Sequence, residues 1–330
     1  MRFGPVPLDQ AMGAILAHSV LLPTGALRKG SVLTEPDIAG LAALGRTEVI
    51  VARLDPDDVH EDAAAARIGA AMLPEAKAQG LRVSGAATGR VNLYALGPGV
   101  LSVDAGAITA MNRINPMITL ACLRPWARVA AGSMVATIKI ISYAVGEGDL
   151  AQACAVIGPA LAVRSPQVRT AALIETVTDA SEPSAKGRKA LALRLARLGV
   201  ELADTRIVAH QAAAIAAAMR ATGADMIFVL TASATSDPGD VGPGALRAAG
   251  GSIVQFGIPV DPGNLLFLGA LGPKPVIGLP GCARSPALNG ADWVLERVIC
   301  GVPVGPEDLA AMGVGGLLKE TPARGRLRDG

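Results

Sequence analysis

The chain has 330 residues, of which 51% are apolar and only 2% aromatic, so Ala, Val, Leu and Ile must build its cores. This length is enough for two or three domains. A formal net charge of +2 is too small to favour nucleic acid or a membrane surface as a partner. The most apolar stretch, residues 126–145, contains Arg128, Gly132 and Lys139, so no membrane-spanning helix is predicted. Residues 1–10 have no signal-peptide core, and we expect a cytoplasmic protein.

The four cysteines, Cys122, Cys154, Cys282 and Cys300, are widely scattered, and none forms a CxxC pair. The three histidines are not at metal-ligand spacing either. The pattern predicts four buried or partly buried thiols rather than disulfides or a zinc site. Cys282 differs from the others because it follows a glycine in a loop.

In the first part of the chain the pattern predicts two helices, a strand and a longer helix. Apolar spacing predicts a helix over residues 8–20. Thr34 is the expected N-cap of a helix over residues 35–44. A short strand follows at 47–52, and an Ala-rich helix over 58–79 bends at Pro74. We predict an N-terminal α/β segment, residues 1–80.

The middle of the chain has short apolar runs separated by glycine and proline, which is typical of a small β-rich domain. We place this domain and a linker at residues 81–165. From residue 168 strands and helices alternate, which predicts a parallel sheet with helices on both faces. The predicted strands cover 169–177, 200–208, 226–230, 253–256 and 275–279. The predicted helices cover 185–198, 209–221, 242–249 and 286–300. This α/β domain is placed at 166–305, followed by a flexible tail at 306–330.

The strand 226–230 leads into a loop of small polar residues that ends where the next helix begins. Such a loop puts hydroxyls and backbone N–H groups at the carboxyl edge of the sheet, where open α/β sheets bind ligands. A helix start there favours an anionic ligand. An ordinary strand-to-helix connection explains the same composition equally well.

Three segments then follow in a fixed order: the polar loop, Pro259-Val260-Asp261-Pro262-Gly263, and a Lys-Pro-Val-Ile-Gly-Leu-Pro-Gly run over residues 274–281. Together they resemble the molybdopterin-binding domain of molybdenum-cofactor biosynthesis proteins of the MogA and MoeA type, over residues 168–302. A G-x-L-x-x-G-x-x-L-T-x-x-D-I-x-x-L-x-x-L-G pattern at residues 25–45 is similar to the segment that precedes this domain in MoeA-like proteins. The MoeA-type S-x-M-D-G-x-A signature is absent from the sequence.

The resemblance implies a three-layer α/β domain, with a mostly parallel sheet, that binds molybdopterin or its adenylylated form. The residues it assigns to binding are Thr231, Ala232, Ser233, Thr235, Ser236, Gly242, Pro262, Gly263, Leu279, Pro280, Gly281, Cys282 and Ser285. It makes Asp240 the catalytic carboxylate and a Mg²⁺ ligand, since Asp240 lies where the family's R-D-V-T-P motif has its Asp. It also implies molybdate and nucleotide as further ligands, a homodimer, and other cofactor-assembly proteins as partners.

The chain departs from the family pattern at four ligand-facing points. The family's T-G-G reads Thr231-Ala232-Ser233, P-D-D reads Ala209-His210-Gln211, and G-N-P reads Gly281-Cys282-Ala283; the T-G-D/E-E-L segment is replaced at residues 176–180. These changes indicate a diverged member. It is either a Mg²⁺-dependent adenylyl- or molybdenumtransferase, or a non-catalytic carrier or docking module, or a nucleotide-handling relative of the CinA type. His210 is either a surrogate base or a histidine without a role.

Overall fold

The computed structural model describes residues 1–179 and 183–318. The described chain forms two compact units. The first comprises residues 1–96, 101–127 and 131–163, and the second comprises 97–100, 128–130 and the chain from 164 onward. The four-part division proposed from the sequence, with boundaries after residues 80, 165 and 305, stays a prediction.

Residues 1–164 contain fourteen short strands and four helices among the described residues. They are β1 (Arg2–Pro7), β2 (Ile15–Leu16), β3 (Val20–Leu22), β4 (Gly25–Leu27), α1 (Glu35–Ala43), β5 (Glu48–Arg53), β6 (Asp58–His60), α2 (Glu61–Met72), β7 (Leu81–Val83), β8 (Arg90–Ala95), β9 (Gly99–Val103), α3 (Ala105–Asn112), β10 (Ile118–Cys122), β11 (Arg128–Val129), β12 (Met134–Ile140), β13 (Ala144–Gly146), α4 (Glu147–Ile157) and β14 (Leu161–Arg164). The first unit holds antiparallel sheets with the orders β1-β5-β2, β3-β4, β13-β6 and β10-β12-β8-β7.

The helix predicted over residues 8–20 is wrong. A 3-10 turn, Leu8–Gln10, is followed instead by the strands β2 and β3. Gly13 has a φ of +74°, a left-handed conformation that ends any helix there. The Leu16 N–H donates to the Ser31 carbonyl at 2.9 Å, so this segment takes its backbone partners from a distant loop rather than from itself. Leu8, Ala14 and Leu16 of this segment are nevertheless buried in the core of the first unit, whereas Met12 is exposed.

The other predictions for this unit are partly confirmed. Helix α1 begins after Thr34, whose N–H and hydroxyl donate to the Asp37 carboxylate at 2.9 and 2.6 Å. The long helix predicted over 58–79 is only α2, which ends before Pro74 and follows strand β6. The β-rich texture of residues 81–145 is confirmed by the four-stranded sheet, although helix α3 within it was not predicted.

The second unit contains six further strands and five helices among the described residues. They are β15 (Thr170–Val177), α5 (Lys186–Ala196), β16 (Glu201–Ala209), α6 (Ala212–Ala221), β17 (Met226–Leu230), α7 (Val241–Ala248), β18 (Ser252–Phe256), β19 (Phe267–Leu271), β20 (Lys274–Gly278), α8 (Gly290–Ile299) and α9 (Pro306–Ala311). The sheet order is β16-β15-β17-β20-β19-β18. The first three neighbour pairs are parallel, and the last two, at β19, are antiparallel.

The sheet of the second unit has helices on both faces, which makes three layers. Ile174, Val229 and Val276 pack into one core cluster with the apolar sides of α6 and α7. Successive strand residues point to opposite faces, so Leu230 lies on the other face. There it meets α5, because a Cβ built on Gly187 would lie 2.5 Å from the Leu230 side chain. The predicted α/β class and three-layer arrangement are therefore confirmed.

The buried strand β17 has the bounds predicted from its apolar run, whereas β19 was not predicted. Strand β19 pairs with β20, and Phe267 lies opposite Gly278. A Cβ on Gly278 would lie 1.9 Å from the Phe267 ring, so only glycine fits there. The predicted flexible tail begins instead with helix α9, whose Leu309 is buried. The rest of that tail, from residue 319, lies outside the described residues.

The four cysteines are free thiols, and they are buried or partly buried, as predicted. Cys300 is buried, and burial raises the pKa of its thiol to about 12, so this thiol is unreactive near neutral pH. Among the described helices, none combines the length and apolarity needed to span a bilayer.

Candidate functional site

The carboxyl ends of the parallel strands β15, β16, β17 and β20 lie along one edge of the sheet, because parallel strands all end on the same side. A cleft of about 270 Å³ opens at this edge. The described residues that line it are Glu175, Thr176, Val177, Thr178, Asp179, Pro183, Ser184, Leu230, Ala232 and Arg284. Hydroxyls, carboxylates and one guanidinium therefore surround a small polar space.

The loop after β17 is held in shape by its own hydroxyls. Thr231 Oγ1 donates to the Ser233 carbonyl at 2.7 Å and lies 3.2 Å from Thr235 Oγ1. Both threonines are buried, with 5% and 6% of their surface exposed. These two hydroxyls were predicted to bind ligand, but the structure uses them to fix the loop. Ala232, Ser233 and Ser236 are exposed.

A chain of hydrogen bonds links three strand ends at this edge. The Ala232 N–H donates to Thr176 Oγ1 at 2.7 Å, and Thr176 Oγ1 lies 2.9 Å from His210 Nδ1. His210 Nε2 lies 3.2 Å from Ser233 Oγ. Thr176 is the penultimate residue of β15, His210 follows β16 and Ser233 follows β17. A polar network of this kind needs the three strands in their observed order.

Asp240 is the N-cap of helix α7. Its Oδ1 accepts the Val241 N–H at 2.7 Å, and its Oδ2 accepts the Ser236 N–H at 3.1 Å. The helix start that was expected to hold an anionic ligand therefore already holds the chain's own carboxylate. Gly242 packs on the Phe267 ring, 3.1 Å from where a Cβ would lie. In the described part of the chain, no group of three His, Cys, Asp or Glu side chains is placed to hold a metal.

The Leu-Pro-Gly loop after β20 leads to Arg284, a cation that contacts the Thr231 loop. Leu279 and Pro280 are buried, and the Leu279 N–H donates to the Val229 carbonyl at 2.8 Å. A 3-10 turn, Gly281–Arg284, follows. Arg284 Nη2 donates to the Thr231 carbonyl at 2.7 Å, which holds the guanidinium at the cleft.

A second cleft of about 590 Å³ adjoins the first and shares Arg284 with it. Its other described lining residues are Lys186, Lys189, Ala190, Leu193, Gly281, Cys282, Ser285 and Pro286. The predicted residues Gly281, Cys282 and Ser285 thus lie together in this second cleft and not in the first. Pro262 and Gly263 lie elsewhere: the Pro262 carbonyl accepts the Gly290 N–H at 2.8 Å, at the start of α8. Neither Pro262 nor Gly263 lines either of these two clefts.

Residues that the sequence left unassigned complete this edge. Arg284 stands five residues after Leu279, and a cation so close to a strand end was the available signal for it. Glu175, at the base of the cleft, is 3% exposed and accepts a hydrogen bond from Arg188 Nε at 2.7 Å. The Arg188 guanidinium thus balances the negative charge of Glu175 within the wall of the cleft. The pairing of Thr176 with His210 had no sequence signal, because it depends on strand order.

Comparison with known proteins adds a partial family match. A domain of unknown function (DUF8806) matches residues 5–53, which is a small part of the 330 residues. No curated protein matches the chain.

Several solved structures of molybdopterin biosynthesis proteins resemble the chain remotely. A MoeA protein from Pyrococcus horikosii is 15% identical, with 93% of this chain and 75% of that one covered and a TM-score of 0.30. A molybdopterin biosynthesis protein from Mycobacterium abscessus is 15% identical over 41% of this chain and 94% of its own, with a TM-score of 0.30. A molybdenum cofactor biosynthesis protein B is 15% identical over 40% and 88%, with a TM-score of 0.28. These scores are too low to establish a shared fold, so the fold assignment rests on the chain's own sheet order and register.

Proposed function

We propose that the second unit binds a phosphorylated pterin of the molybdopterin type at the carboxyl edge of its sheet, as part of molybdenum-cofactor biosynthesis. The observation that carries the proposal is the Arg284–Thr231 hydrogen bond. It joins two of the three segments through which the sequence resembles the molybdopterin-binding family. It also leaves a guanidinium at a polar cleft, where a phosphate would be bound.

The donors for such a phosphate come from side chains and from the loop backbone rather than from the start of α7. Thr178 and Ser184 line the cleft with exposed hydroxyls. Within the described chain, the N–H groups of Ser233 and Ala234 donate no backbone hydrogen bond. These two N–H groups are therefore available to donate to a bound phosphate. The second cleft, with its larger and more apolar walls, offers space for the flat part of a ligand.

A Mg²⁺ ion at Asp240 remains part of this proposal. Asp240 supplies one carboxylate whose two oxygens each already accept an N–H. Each oxygen keeps a further lone pair, and Mg²⁺ is commonly bound by one or two carboxylates together with substrate phosphates and water. Asp240 lines neither cleft, so its carboxylate fits Mg²⁺ only if the ligand's phosphate extends to the start of α7. When bound, the ion would neutralise phosphate charge during adenylyl transfer or molybdate insertion.

Calorimetric titration of the Arg284→Gln variant tests the proposal. Gln keeps a donor for the Thr231 carbonyl but removes the positive charge. A charge-assisted hydrogen bond is worth about 1.5–3 kcal/mol, so affinity for molybdopterin should fall about 10- to 100-fold. The matched control is Arg247→Gln. Arg247 also donates to a loop carbonyl, that of Pro238 at 2.7 Å, but lines neither cleft.

The same titration separates the alternatives. Molybdopterin and its adenylylated form are compared with and without Mg²⁺, and ATP and molybdate are titrated separately. Binding that needs Mg²⁺ identifies an assembly enzyme, whereas tight binding indifferent to Mg²⁺ identifies a carrier. Preference for ATP over the pterin identifies a nucleotide-handling protein. If wild type binds neither pterin form, or if Arg247→Gln weakens binding as much as Arg284→Gln, the proposed site is wrong.

A further inference from the structure

The Thr176–His210–Ser233 network places a histidine between an exposed hydroxyl and a buried one. Thr176 is 3% exposed, and its oxygen already accepts the Ala232 N–H. A hydroxyl oxygen has two lone pairs, so it can also accept a proton from His210 Nδ1 at 2.9 Å. His210 Nε2 is then unprotonated and faces Ser233 Oγ at 3.2 Å. A hydroxyl, a base and a group that orients the base are the parts of an activated nucleophile.

We propose that Ser233 is a nucleophilic serine, that His210 is its general base, and that Thr176 is a positioning residue that fixes the imidazole. The substrate class is a phosphoric ester or anhydride, because Arg284 and exposed hydroxyls line the same edge. This activity goes beyond pterin binding and does not depend on it.

In the first step Ser233 Oγ forms a bond to phosphorus while its proton passes to His210 Nε2. The bond from phosphorus to the leaving oxygen breaks, and that oxygen departs with the electron pair and takes the proton from His210. Water then attacks phosphorus of the phosphoseryl group and gives a proton to His210. The bond from phosphorus to Ser233 Oγ breaks, and Ser233 Oγ takes that proton from His210 as the phosphate product leaves. The net reaction is hydrolysis, with no metal or redox partner required.

A fluorophosphonate probe tests the first step without any pterin. Ser233 Oγ displaces fluoride from phosphorus, and mass spectrometry of the digested protein locates the adduct. In the wild type we expect the label on Ser233 and not on Ser236, an exposed serine of the same loop whose hydroxyl faces no histidine. Removal of a general base costs about 100-fold or more, so the labelling rate of His210→Ala should fall by at least that factor.

Two variants at Thr176 separate positioning from simple structural support. Thr176→Ser keeps the hydroxyl and should label at nearly the wild-type rate, whereas Thr176→Val should label at least ten times more slowly. Circular dichroism shows whether each variant is folded. Release of nitrophenol from bis-p-nitrophenyl phosphate should follow the same order.

The reverse proton arrangement is the alternative that the experiment can reveal. If Thr176 donates to Nδ1, then Nε2 carries the proton and Ser233 is inert. The proposal is overturned if wild type labels no faster than Ser233→Ala, or if His210→Ala labels at the wild-type rate. Since no pterin is present, either result leaves the pterin-binding proposal standing. Conversely, a failure of pterin binding leaves this one standing.

Discussion

At the scale of single residues, Asp240 performs a structural task at a position where the sequence suggested chemistry. Its carboxylate accepts two N–H groups and begins helix α7. An Asp just before a helix can be a helix N-cap or a metal ligand, and the sequence alone does not distinguish the two roles. Substitutions that differ in capping ability can separate the two roles.

Asp240→Asn and Asp240→Ala should differ in stability. Asn caps helices about as well as Asp, so its free energy of unfolding should change by less than about 0.5 kcal/mol, whereas Ala should lower it by about 1 kcal/mol. Urea denaturation followed by circular dichroism measures both. If Asp240 also holds Mg²⁺, then Asp240→Asn should abolish any Mg²⁺ dependence of pterin binding despite its intact fold. Equal losses of stability in both variants would contradict the capping role.

The site could be predicted from the sequence only as a place, not as a set of contacts. The loop after β17 does lie at the carboxyl edge of the sheet, as expected. However, Thr231 and Thr235 turn inward, and only the folded loop decides which way a hydroxyl points. Arg284 follows a strand end closely, but its contact could not be predicted, because the guanidinium reaches a carbonyl 53 residues away.

At the scale of elements, one buried arginine holds the Leu-Pro-Gly loop against two helices. Arg194, on α5, is 3% exposed and pairs with Asp292 on α8, Nε to Oδ1 at 2.8 Å. It also donates to the carbonyls of Ala283, Ser285 and Ala287. Because these carbonyls surround Arg284 in sequence, Arg194 fixes the segment that carries the candidate anion-binding side chain.

Arg194→Met should destabilise the second unit strongly. It leaves Asp292 buried without its cation and three carbonyls without their donor, which typically costs about 3–5 kcal/mol. The control is Arg206→Met, which breaks a pair with Asp204 whose side chains are 32% and 28% exposed, and it should cost less than about 1 kcal/mol. Thermal unfolding of both variants gives the comparison. A loss for Arg194→Met no larger than that of the control would show that the buried pair does not hold the loop.

Uniformly apolar or well-capped elements were predictable, whereas strands interrupted by glycine were not. Strand β17 is an unbroken run of five buried residues, so its bounds follow directly from hydrophobicity. Strand β19, Phe-Leu-Gly-Ala-Leu, contains a glycine, which has low strand propensity, and it forms only because β20 and β18 pair with it. Residues 8–20 repeat apolar side chains at helical spacing, but the first unit buries Leu8 in a 3-10 turn and Ile15 and Leu16 in a strand.

At the scale of the whole molecule, strand order decides what the residues can do together. Strands β16 and β17 flank β15, and this order brings the three groups of the hydrogen-bonded network to one edge. Alternating strands and helices predicted a parallel sheet, but they did not specify which strands would be neighbours. That choice depends on how all the helices pack.

The acid stability of the molecule should depend on Asp225, at the opposite edge of the sheet. Its Oδ2 accepts the N–H groups of Arg169 and Thr170 and the Thr170 hydroxyl at 2.9–3.0 Å. These hydrogen bonds hold the pKa of this carboxyl below its usual value. A lowered pKa in the folded state means that the stabilisation is fully present above the usual carboxyl pKa, about 4, and is lost as the pH falls further.

Melting temperatures of wild type and Asp225→Asn should therefore differ by a constant amount between about pH 7 and pH 5, with wild type higher. This difference in melting temperature should become smaller below about pH 4. Glu201→Gln, which alters an exposed carboxylate without a hydrogen bond in the described chain, is the control and should show no such narrowing. A gap that stays constant down to pH 2.5 would exclude Asp225 as a source of acid sensitivity.

The Thr176–His210–Ser233 network, at the carboxyl edge of the sheet, also has a consequence for the study of folding. Thr176 and His210 are 34 residues apart, and His210 and Ser233 are 23 apart. No short peptide cut from the chain holds two of these side chains together, so only the assembled strands create the contact. Any reactivity of Ser233 that needs His210 would thus appear during refolding only after β15, β16 and β17 have paired. The rate at which Ser233 becomes reactive would then report the rate at which the three central strands of the sheet assemble.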